Sequence, residues 1–551
     1  MCLPGPLTWQ RNPHYHWIGG TKKFQRCCEV QMKEEIKNIL WVDDEIDNLK
    51  SHIIFLEERG YKVTPASNGD DAIALVGKKN FDLVLLDEMM PGKDGLTTLE
   101  EIKEKNPHLP VIMVTKNEEE NLMDQAIGEK IDDYLTKPVN PSQVLSAAKK
   151  ILGIRRIREE HLSRKYVTDF NQVRSLLSGP LTWREWIHIH RLLSEWDLEM
   201  EDFKDLGLTE THLTQKRECD LEFGRFIESN YHNWVQKKDS PALSVDIVPR
   251  YLYPLLLEKK PVFLILVDCM RLDQYLFIEP ILNQYFNLTR EYYYSILPTA
   301  TPYSRNAIFS GLFPEEVAKL YPELWKAGTE DDSSRNRYER QLLDAQLQRL
   351  KLTFKTEPKY VKVLDIAEGD NLARKISSYR SGSLLSIVYN FLDILAHGRS
   401  ESEILKEIAP DEGAFRSLMR SWFLHSSLFE ILKYLSRQDC TVLLTTDHGS
   451  VLGTRGTVAH GKKDTSTNLR YKYGDNLNCD LKDALLIKDP GGYKLPSYTM
   501  STTYIIAKED YYFVYPTKQN EYERQYKNSF QHGGISLEEM ILPVTVLRPK
   551  I

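Results

Sequence analysis

Between residues 33 and 155, short apolar runs alternate with stretches in which apolar positions recur every three or four residues. Ile39–Val42 reads as a buried strand leading into Asp43-Asp44-Glu45, and Ile46–Glu58 as the helix that follows. Tyr61–Pro65 predicts a second strand and Asp70–Lys78 a helix. Phe81–Leu86 predicts a third strand ending on Asp87, and Val111–Val114 a fourth ending on Thr115. Asp133–Leu135 gives a short fifth, followed by Lys137-Pro138. Five strands with crossover helices predict a doubly wound (βα)5 parallel sheet, covered on both faces, that binds ligands outside its strand carboxyl ends.

From residue 143 the period becomes helical. Gln143–Ile151 closes the first domain, and Ile154, Ile157, Leu162, Tyr166 and Phe170 continue at mostly helical spacing as a linker helix. Leu177-Ser178-Gly179-Pro180 breaks the pattern. Trp183, Trp186, Leu192, Leu193 and Trp196 then form one apolar stripe, and Phe223, Phe226, Tyr231 and Trp234 another. His188 and His190 do not share a helix face, which argues for satisfied or exposed histidines rather than a metal pair. No short helix–Gly–helix unit presents outward Arg, Lys, Asn or Gln, so direct DNA binding is not expected.

The last segment predicts a larger α/β domain with a central, mostly parallel sheet. Val262–Val267 is its central strand and ends on Asp268. Thr301 stands before Pro302, with a helix expected from Arg305 to Phe309. Tyr389–His397 reads as a helix that puts Asp393 and His397, four apart, on one face. Thr441–Leu444 is a second buried strand leading to Asp447-His448-Gly449. His532 lies between Gln531 and Gly533-Gly534, and Ile541–Val546 closes the sheet, its Pro543 arguing for an edge or an early break.

A chain of 551 residues predicts two to four domains. The expected division is an extension at 1–31 without chemistry (the functional start being Met32), a first domain at 32–153, a helical segment at 154–255 and a last domain at 256–551. A formal charge of -7 gives no global attraction to nucleic acid. Seven irregularly spaced cysteines suit a reducing cytoplasm, and no apolar run approaches the length of a membrane span.

The polar residues fall at the predicted strand ends. Asp43, Asp44 and Asp87 form a hard oxygen cluster suited to Mg²⁺, while Lys137 and the Thr115 hydroxyl can meet phosphoryl oxygens. A carboxylate so held is a competent phosphoryl acceptor. The pattern closely resembles the receiver domain of two-component response regulators. The resemblance makes Asp87 the phosphoacceptor, Thr115 and Tyr134 the switch pair and Lys137 the family's lysine. It implies a sensor histidine kinase as partner, and a homodimer formed when phosphorylation draws Thr115 and Tyr134 inward.

In the last domain, Asp268, Asp393, His397, Asp447, His448 and His532 offer N and O ligands at strand ends and on one helix face, and the Thr301 hydroxyl a nucleophile at a helix start. The arrangement resembles the alkaline phosphatase superfamily and, through Asp268-Cys269-Met270-Arg271, the PglZ family. The resemblance implies one metal on Asp393, His397 and His532, another on Asp268, Asp447 and His448, and Thr301 between them. Three His among six N/O ligands favour two Zn²⁺ over Mg²⁺. Arg305, His460 and Lys462, with Lys463 and Arg470, are candidate substrate-phosphate contacts.

The whole order resembles the PorX-type response regulators of Bacteroidetes. It implies a cytoplasmic regulator of type IX secretion whose output is a phosphodiesterase acting on a nucleotide or short oligonucleotide. Secretion machinery or a sigma factor is a candidate partner. Two rivals stand beside it: a phosphorylation-dependent scaffold with a structural metal site, and a metal-dependent phosphomonoesterase.

Overall fold

The computed structural model describes residues 36–106, 108–116, 131–202, 207–325, 337–379, 383–461, 468–516 and 519–550. The expected extension at 1–31 lies outside the described residues. The chain divides into two compact units, at residues 161 and 162. Among the described residues no helix is long and apolar enough to cross a membrane. Four described cysteines, Cys219, Cys269, Cys440 and Cys479, are free and buried.

The first unit contains five strands: β1 (Lys37–Val42), β2 (Tyr61–Ala66), β3 (Leu83–Asp87), β4 (Val111–Thr115) and β5 (Asp133–Thr136). They pair in parallel in the order β2-β1-β3-β4-β5. The strand period of two sorts their side chains. Ile39, Trp41, Leu83 and Leu85 face one core, whereas Leu40, Val42, Val84 and Leu86 face the other. Helices α1 (Lys50–Glu57), α2 (Gly69–Val76) and α3 (Gly95–Lys105) connect the strands. Asn68 and Asp94 cap α2 and α3 by accepting the N–H of Asp71 and Thr97. The helix expected directly after β1 begins instead as a 3-10 turn, Ile46–Leu49.

The expected closing helix and linker helix are one element, α4 (Pro141–Leu177), of 37 residues. Its Val144, Ala148 and Ile151 enter the core around Trp41, and its Leu162 and Tyr166 that around Trp196. Helices α5 (Trp183–Asp202) and α6 (Thr209–Val235) follow.

The second unit is built on a six-stranded sheet. Its strands are β6 (Val262–Val267), β7 (Phe286–Tyr294), β8 (Lys359–Val363), β9 (Leu384–Tyr389), β10 (Thr441–Thr445) and, after the small strands β11 (Val451–Gly453) to β17 (Ser529–Gln531), β18 (Ile541–Pro549). The order is β7-β18-β10-β6-β9-β8, and β10, β6, β9 and β8 run parallel. Its helices include α7 (Leu272–Tyr285), α8 (Thr301–Ser310), α9 (Phe391–Glu401), α10 (Glu412–His425) and the short α11 (Leu537–Met540).

Three expectations are corrected. Strand β18 is internal, paired with both β10 and β7, although Pro543 lies within it. Its ladder to β10 stops at Val544, so at Pro543 the strand has β7 alone as a ladder neighbour and the missing N–H is tolerated. Helix α8 starts at Thr301, not Arg305, because Pro302 occupies the first turn, where proline is favoured. Tyr389 ends strand β9, and the helix of Asp393 begins at Phe391. The expected helical middle is present and packs on the sheet. Trp186, Phe223, Tyr231 and Trp234 share one core with Leu264, Leu266 and Tyr294. Aromatic surface of this size is buried against the sheet: the rings of Trp234 and Tyr294 lie 5.0 Å apart.

Within that middle, His188 bonds Gln172 at 2.9 Å, whereas His190 is 3% exposed and its Nε2 has no hydrogen-bond partner among the described residues. Burial pushes the His190 imidazole down to about 3. Its folded pKa lies below the unfolded value, so below pH ~6.5 the unfolded chain takes up a proton that the folded chain refuses. Stability therefore falls as pH drops from ~6.5 towards about 3. Between pH 7 and pH 5.5, urea unfolding should show wild type losing about 1 kcal/mol more than His190→Leu. Equal losses in the two proteins would refute a neutral, buried His190.

Candidate functional site

Register brings the acidic residues of the first unit together. Val42 of β1 pairs with Leu86 of β3, so the following residues, Asp43 and Asp87, emerge side by side. With Asp44 they offer three carboxylate oxygens within 4.8 Å of one another. Lys137, just beyond β5, sets its Nζ 2.9 Å from both Asp43 and Asp87. Burial pushes the Asp87 carboxyl up, and the Lys137 ammonium offsets only part of this. Burial alone would lower Lys137, but the two carboxylates outweigh it and raise its pKa. Gly95 lets α3 approach this edge: a Cβ there would stand 2.2 Å from the Asp87 carbonyl oxygen. Thr115 is buried and donates its hydroxyl to the Glu88 carboxylate, while Tyr134 is 48% exposed. Sequence reasoning passed over Glu88; its position directly after the acceptor was the available signal.

The second unit repeats the device. Leu266 of β6 pairs with Thr445 of β10, and each strand delivers an aspartate two residues later, Asp268 and Asp447. Both are fully buried. Thr446 joins the two exits, since its Oγ1 accepts the Met270 N–H and donates to the His448 carbonyl, each at 3.0 Å. His448 Nε2 lies 3.5 Å from Asp268 and 3.8 Å from Asp447. Its Nδ1 is 3.0 Å from the Gly449 carbonyl, an acceptor that requires the ring proton there and leaves the Nε2 lone pair facing the carboxylates. Burial pushes His448 down to about 4.

Asp393, His397 and His532 form a second triad. The Nε2 atoms of His397 and His532 are 3.0 Å apart and lie 3.4 and 3.3 Å from Asp393 Oδ1. Burial would raise Asp393, but hydrogen bonds from both histidines outweigh it and hold the carboxylate well below its usual range. The two triads adjoin, because the rings of His448 and His532 stack with centroids 4.3 Å apart. In each triad one ligand atom per residue lies within 4.8 Å of the others.

Thr301 opens α8, buried, with its Oγ1 2.9 Å from His448 Nε2. The helix start offers fewer N–H donors than expected: Pro302 has none, and those of Tyr303 and Ser304 donate to the Ala300 carbonyl. The N–H of Thr301 itself is the candidate donor that this leaves.

Two of the expected phosphate contacts, Arg305 and Arg470, are committed to carboxylates of the chain itself. Arg305 is fully buried and clamps the two buried aspartates, donating from Nε to Asp447 at 2.8 Å and pairing with Asp268. Glu339 at 3.4 Å and Asn390 at 3.5 Å hold its far side. A guanidinium so enclosed serves the carboxylates, not a substrate. Burial pushes Asp268 well up despite Arg305, whereas Arg305 and His448 together outweigh burial at Asp447 and hold it down. Arg470 is likewise buried, on Glu539. His460 is exposed and bridges Asn478 through its backbone. Lys462 and Lys463 lie outside the described residues.

Three family models match the chain in series. They are a response regulator receiver domain over residues 39–149, a PorX response regulator linker domain over 156–235, and a BREX system PglZ alkaline phosphatase-like domain over 250–547. The chain is 41% identical over 114 residues to the transcriptional regulatory protein ResD of Bacillus subtilis, covering 21% of this chain and 47% of that protein. It is 38% identical over 126 residues to the transcriptional regulatory protein BaeR of Escherichia coli, covering 22% and 51%. The chain thus spans about half the length of these curated relatives. A receiver domain protein (CheY-like) from Methanospirillum hungatei aligns at 31% identity and TM-score 0.22, covering 22% of this chain and 99% of that one. With the PglZ match covering more than half of its length, the chain belongs to the PglZ alkaline phosphatase-like family, as a PorX-type response regulator in which a receiver domain precedes the alkaline phosphatase-like output.

Proposed function

We propose that the receiver takes a phosphoryl group on Asp87 from a sensor histidine kinase and that the output domain is a two-zinc phosphodiesterase. Its substrate is a nucleotide or short oligonucleotide. The observation that carries the reading is the pair of adjoining ligand triads, with the Thr301 hydroxyl 2.9 Å from one of them.

The residues fit divalent ions. Tetrahedral N and O ligands about 2.0–2.2 Å from a zinc ion stand about 3.3–3.6 Å apart. The separations in the Asp393 triad are 3.0, 3.3 and 3.4 Å. Among the described residues, Asp268 Oδ1 is buried without a hydrogen-bond partner, Arg305 pairing with the other oxygen. Such an atom is costly unless something binds it. Asp393, His397 and His532 would hold one ion, and Asp268, Asp447 and His448 the other. In the receiver, Asp43, Asp44 and Asp87 would hold Mg²⁺, an all-oxygen set.

Bound zinc would favour the ionised Thr301 oxygen and offset negative charge on the transferred phosphoryl group. The chain's own part is placement. Thr301 Oγ1 sits at a rigid helix start, loses its proton and attacks phosphorus. The bond to the leaving alkoxide breaks, the alkoxide takes up a proton, and a threonine-bound phosphodiester that keeps the substrate's second ester forms, whose bond to threonine water then cleaves to release the phosphomonoester. Arg305 keeps Asp268 and Asp447 from repelling each other. Control of type IX secretion belongs to the same proposal and is supported by the PorX-type domain order.

Metal-loaded wild type should hydrolyse bis(p-nitrophenyl) phosphate faster than p-nitrophenyl phosphate, and Thr301→Ala should lower kcat about three orders of magnitude with metal content unchanged. The reverse preference would make the domain a phosphomonoesterase. No turnover by wild type on either ester, or on a panel of dinucleotides, would leave a scaffold. Metal analysis after dialysis supplies a further check. Wild type should retain two zinc ions per chain and His532→Ala about one, and equal contents would remove His532 from the ligand set.

A further inference from the structure

Two of the loops that carry the candidate ligands, those of His448 and His532, meet one short segment, Leu537–Glu539, and the Asp268 loop is linked to it through Arg271, Glu412 and Lys216. Next to His448, the Gly449 N–H reaches the Glu539 carbonyl at 3.3 Å. A Cβ at Gly449 would stand 1.9 Å from the Glu538 carbonyl oxygen, so this approach needs glycine. After His532, the Gly534 N–H and the Ser536 hydroxyl donate to the two oxygens of Glu539, each at 2.8 Å. Arg271, three residues after Asp268, has its Cγ 3.4 Å from that same Gly449 Cβ position.

Helix α6 grips this segment from outside. Asp220 Oδ1 accepts the Leu537 N–H at 3.0 Å, and Lys216 Nζ lies 3.3 Å from Glu538. Lys216 also reaches Asp197 of α5 at 2.8 Å and Glu412 of α10 at 3.5 Å. Arg271 pairs with Glu412 and forks onto Asp273 at 2.9 and 2.8 Å. Arg416 binds Asp273 at 2.6 Å and Glu201 of α5 at 2.8 Å. Burial pushes the Asp220 carboxyl well up, with Glu538 adding to it.

A buried ionic network of this kind is a poor source of stability compared with apolar packing. What it supplies is direction: each bond fixes one loop at one angle. We propose that Asp220 and Lys216 are positioning residues through which α6, by way of Leu537–Glu539, sets the placement of the loops bearing Asp268, His448 and His532. The inference rests on the metal-site reading above.

The test uses the full chain with Asp220→Ala, Asp220→Asn, Lys216→Met and Lys216→Arg. Asparagine keeps an oxygen for the Leu537 N–H at nearly unchanged size. Chelator-competition titration should show Zn²⁺ bound about 10- to 100-fold more weakly by Asp220→Ala and Lys216→Met, with kcat lower by a similar factor and KM little changed. Asp220→Asn and Lys216→Arg should restore both. Unchanged Zn²⁺ affinity in a folded Asp220→Ala overturns the proposal, and so does a loss that Asp220→Asn shares in full. If Asp220→Ala does not fold, the lysine pair carries the same comparison. Should wild type bind no Zn²⁺, the metal-site reading is what fails. Hydrogen exchange at residues 532–539 then decides the brace alone. It is upheld if these amides exchange about tenfold faster in Asp220→Ala or Lys216→Met than in the rescuing variants, and overturned if they do not.

Discussion

Buried negative charge is the constraint around which the second unit is arranged. Asp268 and Asp447 are both fully buried at the ends of neighbouring parallel strands, where an uncompensated carboxylate costs several kcal/mol. The chain offsets them with one guanidinium, that of Arg305, itself locked by Glu339 and Asn390. Parallel pairing makes the proximity unavoidable, because strands in register that each end in an acidic loop bring those loops together. The fold therefore assembles a cluster of candidate metal ligands as a by-product of its own register, and the helix of Thr301 is anchored to it by the same arginine.

The two units use this device with different counter-charges. In the receiver, Lys137 meets Asp43 and Asp87 at 2.9 Å and remains 16% exposed. Its ammonium is a point charge on a flexible stem, suited to following an oxygen that gains a phosphoryl group. Arg305 is a planar fork with no exposed surface, suited to holding a geometry fixed. The two acidic clusters thus carry counter-cations of opposite character, one able to move and one held in place.

Much of this was legible in the chain because the signals were local. Apolar runs ending in Asp43, Asp87, Asp268 or Asp447 announce strand ends, and the four-residue spacing of Asp393 and His397 survives folding as one helix face. What could not be read depends on distant partners. Pro543 argued for an edge, yet its strand runs between two others, because the β10 ladder stops one residue short of it. Arg305 invited assignment to a substrate, since nothing nearby in sequence reveals Asp268 and Asp447 as its partners. The bond between Asp220 and Leu537 spans 317 positions and leaves no periodic trace.

The aromatic helices illustrate the same limit at the scale of a domain. Composition alone draws a boundary near residue 256, before the first strand of the large sheet. Yet Phe223 and Trp234 lie in the core that buries Leu264 and Tyr294. A protein truncated at that boundary would expose a greasy sheet face to water and invite aggregation. Recombination that grafts this catalytic-type domain onto another sensor must therefore carry α5 and α6 with it, so the inheritable module is larger than the part that holds the chemistry.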